Sequence, residues 1–161
     1  MKKYHLKRQQ QLPISLNEAW AFFATPKNLA KITPANMRFE IKTELTDNTI
    51  YPGLNIAYRV RPLFNIPVNW LTEISEVDQQ HSFTDIQLKG PFAYWAHKHQ
   101  FEAKDGGVLM TDTLTYVLPF AWLGRLAHSL FVKKRIEQIF NHRGALLETL
   151  FIQKKDVARV A

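Results

Sequence analysis

The chain of 161 residues contains no cysteine, which excludes disulfide bonds and thiolate chemistry. This absence fits a reducing compartment, and we expect a cytoplasmic protein. No apolar run approaches the length of a membrane span, and no apolar core follows the basic N-terminus as it would in a signal peptide. Because repeats are absent and 46% of the residues are apolar, we predict one domain over residues 1–155 and a loose tail over residues 156–161.

Acidic residues are scarce relative to basic ones, since 14 Asp and Glu accompany 21 Lys and Arg, for a formal charge of +7. The excess is concentrated near the chain ends and in the basic run Lys133-Lys134-Arg135. No nucleic-acid-binding motif and no interleaving of aromatic and basic residues accompanies it. We therefore expect no nucleic-acid partner and at most a weak membrane-surface contact through the basic run. The sequence does not indicate an oligomeric state.

The C-terminal part of the chain carries a long amphipathic pattern without proline. Apolar residues recur at spacings of three and four on both sides of the basic run, at Leu123, Leu126, Ala127, Leu130, Phe131, Ile136, Ile139, Phe140, Leu147, Leu150 and Phe151. This periodicity predicts one continuous helix over about residues 123–153. A helix of that length needs a broad surface to pack on.

The preceding chain has the pattern of an antiparallel sheet with two short helices near its start. The first helix begins at the capping box Ser15-Leu16-Asn17-Glu18, and Thr25 is expected to cap the second, before Pro26. Alternation of apolar and polar residues predicts strands over residues 4–13, 37–41, 54–61, 68–77, 81–88, 92–104 and 108–118. The predicted fold is α+β, with a curved sheet of about seven strands and a long C-terminal helix enclosing a cavity.

Two connections in this sheet have distinctive sequences. Asp105-Gly106-Gly107 is a hairpin signal between the last two strands. The proline-flanked loop over residues 61–67 is unusual because Leu63, Phe64 and Ile66 in it are apolar. Such residues either fold over the mouth of a pocket or pack against a neighbouring loop.

Ionisable residues interrupt the aromatic face of one predicted strand. Trp95, His97, His99 and Phe101 share this face, which places the two imidazoles inside, about 7 Å apart along the strand. If the preceding strand pairs closely, Asp85 lies near one of them.

The two histidines allow several interpretations. Each imidazole either satisfies Asp85, Asp112 or a backbone carbonyl within the core, or orients a ligand in an apolar pocket. His-x-His also occurs in zinc sites, with Asp85, Asp112 or His81 as a third ligand, but the spacing alone supports this, and we predict no metal and no cofactor. The imidazole pKa suits acid–base catalysis, although no nucleophile or oxyanion donor accompanies it. Arg143 and His142, beside Gly144 in the long helix, are expected at the pocket rim.

The order of elements resembles that of the START-like superfamily, whose helix-grip fold occurs in birch pollen allergen, lipid-transfer and polyketide-cyclase proteins. The opening segments resemble bacterial members of the cyclase/dehydrase or coenzyme-Q-binding-like type, at Leu12-Pro13-Ile14, Ala19-Trp20-Ala21-Phe22-Phe23, Pro26-Lys27-Asn28-Leu29 and Ile32-Thr33-Pro34. Later segments resemble a bacterial branch of the same group, at Phe83-Thr84-Asp85, Gly90-Pro91-Phe92, Trp95-Ala96-His97-Lys98-His99-Gln100-Phe101, Pro119-Phe120 and Leu123-Gly124. The superfamily contains carriers, cyclases and hydrolases, so the resemblance implies a fold without an activity.

The function predicted from these features is binding or transport of a small hydrophobic molecule, such as a lipid, an isoprenoid quinone or a polyketide. The expected ligand contacts are apolar walls from Trp70, Trp95, Phe101 and Tyr116, and polar groups from Asp85, His97 and His99. The alternative is an enzyme of cyclase, dehydratase or isomerase type, in which His97 or His99 acts as general base and Asp85 orients it.

Overall fold

The computed structural model describes residues 1–46 and 48–160, and for residue 121 and residues 152–160 it describes the backbone alone. Seven strands form a single antiparallel sheet in the order β1-β7-β6-β5-β4-β3-β2. The strands are β1 Lys3–Leu12, β2 Glu40–Ile41, β3 Asn55–Val60, β4 Val68–Asp78, β5 Ser82–Lys89, β6 Tyr94–Lys104 and β7 Gly107–Val117. Apolar residues alternate along these strands, so one face of the sheet is buried and the other faces solvent.

Two short helices, α1 (Leu16–Phe23) and α2 (Lys27–Ile32), connect β1 to the rest of the sheet. The predicted capping box is present, because Glu18 N–H donates to Ser15 Oγ and Ser15 N–H donates to the Glu18 carboxylate. The predicted Thr25 cap is wrong: Pro26 occupies the N-cap position of α2, and the Thr25 hydroxyl donates back to the Ala21 carbonyl.

The strand predicted from Met37 is much shorter than expected. Residues Ala35–Met37 form a 3-10 turn, and Arg38 follows in the left-handed region with φ of 45°. Only Glu40–Ile41 pair with β3. Met37 is buried, as the alternation of apolar residues predicted. It is buried from a turn and not from a strand, and it packs beside Val60 and Trp70.

The hairpin between β6 and β7 follows the sequence signal. Asp105 and Gly106 have φ of 50° and 72°, and Lys104 pairs with Gly107 across the turn. Two successive residues with positive φ make the tight turn that matches the twist of a hairpin.

The long C-terminal helix is interrupted by a turn of different pitch. It comprises α3 (Ala121–Ala127), a π-helical turn (His128–Val132) and α4 (Lys133–Val160). A π-helical turn contains more residues than an α-helical turn, but the chain stays helical through it. The continuous helix predicted over about residues 123–153 is therefore confirmed, with a local change of pitch that the periodicity did not predict. Helix α4 runs into the segment predicted as a tail, whose last residue, Ala161, lies outside the described residues.

The core fills the space between the sheet, α1 and the C-terminal half of α4, with Leu12, Val108 and Leu147 fully buried. Toward the other end of α4 the packing is looser, and smaller clusters form around Trp70 and Leu114. Among the described residues, no helix is both long and apolar enough to cross a bilayer.

Candidate functional site

A cavity of about 690 Å³ lies between the buried face of the sheet and the long helix. Strands contribute Val60, Trp70 and Trp95 to its lining, and α4 contributes Ile136 and Ile139. A volume in the range of about 300–1,000 Å³ is typical of small-molecule sites. The sheet and helix therefore leave room for a ligand instead of closing on each other.

Strand register brings four ionisable side chains together beside the cavity, and three of them line it. Asp85 pairs with His97 across β5 and β6, and His99 pairs with Asp112 across β6 and β7. Arg143 reaches them from α4. We call these five residues the His–Asp cluster. The predicted proximity of Asp85 to the histidines is confirmed, and the ring centroids of His97 and His99 are 3.9 Å apart.

Asp112 is at the centre of the cluster. Its Oδ1 lies 3.0 Å from His97 Nε2, 2.8 Å from His99 Nδ1 and 3.5 Å from Arg143 Nη1. Burial by itself would raise the pKa of Asp112. The charge of Arg143 and the hydrogen bonds from both histidines outweigh burial and hold that pKa well below its ordinary value.

The two histidines have opposite protonation behaviour. Burial lowers the pKa of both rings, but His99 lies between two carboxylates, 3.1 Å from Asp85 and 2.8 Å from Asp112, and these contacts raise its pKa overall. Its Nδ1 therefore donates to Asp112, which is closer than the Arg143 nitrogen at 3.4 Å. For His97, burial and the neighbouring charge of His99 lower the pKa despite its contact with Asp112.

A neutral His97 has a defined tautomer in this arrangement. Its Nε2–H donates to Asp112, so Nδ1 carries the lone pair. With His99 charged, the cluster contains two carboxylates, one imidazolium and one guanidinium, so the charges within it balance. A ligand at this site meets a hydrogen-bonding surface without a net charge.

Asp85, His97 and His99 also satisfy the simplest geometric condition for a metal site. One potential ligand atom from each lies within 4.8 Å of the others. However, both histidines already hydrogen-bond to carboxylates, and the Arg143 guanidinium lies beside the same groups. A dication would have to break these bonds and tolerate a fixed positive charge nearby. The chemistry of this donor set favours an internally paired polar cluster.

Five of the seven residues predicted to contact a ligand line the cavity: Trp70, Asp85, Trp95, His97 and His99. The remaining two, Phe101 and Tyr116, are not among the lining residues. Phe101 packs in the main core against Trp20, Phe23 and Phe83. Strand alternation correctly predicted that it points inward, but α1 covers it.

Tyr116 packs beside the cavity, at the point where the long helix changes pitch. Its ring contacts Trp95, and its hydroxyl lies 2.8 Å from Nε2 of His128, the first residue of the π-helical turn. Burial raises the pKa of Tyr116 to about 12. The contact ties the last strand to the start of that turn.

Arg143 was expected at the rim but is buried, with 8% of its surface exposed. The sequence contained a signal for this position. The buried residues Ile136, Leu147 and Phe151 recur along α4 at spacings that include position 143 on the same face. A charged residue in the apolar register of a helix requires a buried counter-charge, which Asp112 provides. His142, the preceding residue of the helix, is exposed.

The apolar loop over residues 61–67 lies at the open end of the cavity. Leu63 lines the cavity, whereas the Phe64 ring packs edge-on against Phe131, at 5.3 Å between centroids. The structure therefore contains both arrangements expected for this loop. Leu63 lies at the cavity mouth, and Phe64 packs against a neighbouring segment.

No family model matches the sequence, and no curated protein sequence matches it. Solved structures do. A START superfamily protein from Mycobacterium smegmatis is 12% identical, and 92% of this chain aligns with 97% of that protein at a TM-score of 0.67. Ginseng major latex-like protein 151 from Panax ginseng is 15% identical, with coverage of 92% and 97% and a TM-score of 0.68.

Norcoclaurine synthase from Thalictrum flavum, solved as a point mutant with a transition-state analogue, is also similar in structure. It is 13% identical, with coverage of 96% of this chain and 97% of that protein and a TM-score of 0.67. At such identities the similarity is informative about the fold alone. The chain has the START-like helix-grip fold that the order of its elements predicted.

Proposed function

We propose that this protein binds a small hydrophobic molecule, such as a lipid, an isoprenoid quinone or a polyketide, in the cavity between sheet and helix. The observation that carries the proposal is a cavity of about 690 Å³ whose apolar lining is interrupted by the His–Asp cluster. Ligand sites of this kind combine mainly apolar walls with a few oriented polar groups. The absence of cysteine fits a reducing compartment, so the proposal places the protein in the cytoplasm.

The His–Asp cluster favours a neutral oxygen as the polar group of the ligand. Its charges balance internally, so a charged ligand group would be buried without a counter-ion. Asp85 is the more exposed of the two carboxylates, with 18% of its side chain accessible, and His97 also borders the cavity. A carbonyl or hydroxyl group can hydrogen-bond there without disturbing the pairs around Asp112.

Native mass spectrometry of the purified protein, followed by solvent extraction, tests the proposal directly. We expect an added mass that dissociates on activation, and an extracted apolar compound with a carbonyl or hydroxyl group. If the purified protein carries nothing and also fails to bind members of a lipid, quinone and polyketide panel, the proposal is wrong. Identification of a strongly charged ligand would contradict the role given to the cluster.

A second function, proton-transfer catalysis, is favoured by the state of His97. The lowered pKa leaves a neutral imidazole on the cavity wall, and Asp112 fixes the tautomer whose lone pair is on Nδ1, 3.8 Å from Asp85 Oδ1. A carboxylate-oriented neutral histidine is the arrangement expected for a general base. As an isomerase or dehydratase, the protein would use His97 to remove a proton from a carbon adjacent to a carbonyl group.

Deuterium exchange separates catalysis from binding even when the overall reaction is unidentified. The extracted ligand is incubated in D₂O with the wild-type protein or with His97→Gln, and its isotopic mass is followed. For an enzyme, we expect exchange at carbon with wild type and a decrease of about 10²–10⁴-fold in His97→Gln, with ligand affinity retained. The exposed His142→Gln is the matched control. No exchange above the protein-free rate would leave His97 with a binding role.

A further inference from the structure

Large apolar side chains surround the open end of the cavity and face solvent. We call this set the apolar collar: Phe64, Ile66, Phe120, Trp122, Leu123, Leu126, Leu130 and Phe131. Phe120, Phe64 and Trp122 are the most open, at 77%, 67% and 63% exposure. Isolated exposed apolar residues are ordinary, but a grouping of this size around an opening marks an interaction surface.

The collar is continuous with the interior of the cavity. Phe120, Leu123, Leu126, Leu130 and Phe131 are exposed and also line the cavity. Leu123, Leu126 and Leu130 follow each other at helical spacing, and Phe131 joins this helical face to the loop through Phe64. An apolar path therefore leads from the surface toward the His–Asp cluster.

The three strand connections at the same end of the molecule contain no acidic residue, and basic side chains lie beside them. Strand pairing of Val60 with Val68 and of Tyr94 with Val117 places the β3–β4, β5–β6 and β7–α3 connections at one end of the sheet. The sequence contains no Asp or Glu over residues 48–72, 86–101 and 113–136. The exposed cations at this end include Arg38, Lys89, Arg125, Lys133 and Lys134. The end thus combines an apolar tip with a cationic border.

We infer that this end of the protein docks on a membrane surface that contains anionic phospholipids. The apolar collar enters the boundary between headgroups and acyl chains, while the surrounding lysines and arginines contact the phosphate groups. A second copy of the chain is a poorer partner, because a twofold interface centred on the collar would bring the cationic borders together. A nucleic acid would leave the leucine side chains of the collar without apolar partners.

Docking in this orientation points the cavity mouth into the bilayer. A hydrophobic ligand can then pass between the membrane and the cavity without exposure to water, a consequence that rests on the proposed function. The docking surface itself does not depend on what the cavity binds, and the two are tested separately.

Co-sedimentation with unilamellar vesicles at low ionic strength measures the docking. One set contains phosphatidylcholine alone and the other adds phosphatidylglycerol. We expect at least tenfold tighter binding to the anionic vesicles, falling as salt is added. The double variant Phe120→Asn and Trp122→Ser should bind at least tenfold more weakly, because it removes two of the most exposed apolar side chains of the collar. Asparagine is chosen at position 120 because it tolerates the positive φ there. Reversal of Lys133 and Lys134 to Glu should reduce binding by about 30-fold or more.

Matched controls lie at the opposite end of the sheet, where Tyr51→Ser removes an exposed aromatic ring and Lys104→Glu reverses an exposed charge. Both should bind vesicles within twofold of wild type. The cavity-filling variant Ile139→Trp should also keep vesicle binding, so failure of docking and failure of ligand binding are distinguishable.

Three results overturn the inference. The first is equal and salt-independent binding to both vesicle types. The second is absence of vesicle binding together with a dimer in analytical ultracentrifugation that Phe120→Asn and Trp122→Ser abolish, which identifies a second copy as the occupant. The third is salt-sensitive binding to an oligonucleotide without binding to vesicles.

Discussion

Asp112→Asn is expected to lower the free energy of unfolding by about 3–5 kcal/mol, as measured by urea denaturation near pH 6. The substitution preserves shape but removes the charge that Arg143 and His99 share, at 3.5 and 2.8 Å. A buried guanidinium would then lose its nearest counter-charge. The same loss should be seen whether or not a ligand is bound, because Arg143 is buried by the protein itself.

The pH dependence of this loss follows from two pKa shifts of opposite sign. Asp112 has a pKa below its ordinary 3.8, so its contribution to stability is present above that value and disappears as the pH falls through the lowered pKa. His99 has a pKa above its ordinary 6.5, so its contribution is full below 6.5 and disappears as the pH rises through the raised pKa. The difference between wild type and Asp112→Asn should therefore be largest at roughly pH 4–6.5.

Asp105→Asn provides the control, since Asp105 is an exposed turn residue and asparagine tolerates its φ of 50°. It should change stability by less than about 0.5 kcal/mol. In a double-mutant cycle, Arg143→Met together with Asp112→Asn should recover part of the loss, with a coupling of about 1–3 kcal/mol. Additive effects of the two substitutions would show that the ion pair is energetically unimportant.

Ile139→Trp is expected to weaken ligand binding by about 100-fold or more, corresponding to about 2.7 kcal/mol. Ile139 lines the cavity from α4 and packs beside the cluster formed by Met37, Val60 and Trp70. An indole at this position would occupy space that the ligand needs. Because the side chain borders a cavity of about 690 Å³, the fold should accommodate the larger ring with a stability change of about 1 kcal/mol or less.

The matched control is Gln138→Trp, which adds the same side chain to the preceding, exposed position of the helix. Binding is measured by titration with the compound identified by extraction, and folding by thermal denaturation. Gln138→Trp should bind like wild type. Wild-type affinity in a folded Ile139→Trp variant would show that the ligand lies elsewhere.

Much of the fold follows from local signals that the sequence carries. The capping box at Ser15 and Glu18, the hairpin at Asp105 and Gly106, and the alternation along β6 and β7 each depend on neighbouring residues. Such signals do not depend on tertiary packing, so they can be recognised from the amino-acid sequence alone. Around Met37, a short turn and a strand produce the same pattern of apolar residues. The two cannot be distinguished without knowing which residues pack against this segment.

The site depends more strongly on long-range arrangement. Alternation alone determined that His97 and His99 point inward. Predicting their contacts with Asp85 and Asp112 requires the register in which β5, β6 and β7 pair. The sequence determines this register only through the packing of the buried face. The burial of Arg143 and its pairing with Asp112 depend on how α4 is rotated about its axis. That rotation is set only when the helix packs on the sheet.

The sequence by itself therefore determined the order of elements, the inward face of each long strand and the residue types that border the cavity, because these depend on periodicity and residue type. Tertiary structure alone decided that Phe101 is covered by the core while Trp70 borders the cavity, and that exposed apolar residues of α3 and the π-helical turn lie at the cavity mouth. The physical reason is that exposure and charge pairing are properties of surfaces brought together from distant parts of the chain, and these surfaces form only when the sheet and the long helix meet.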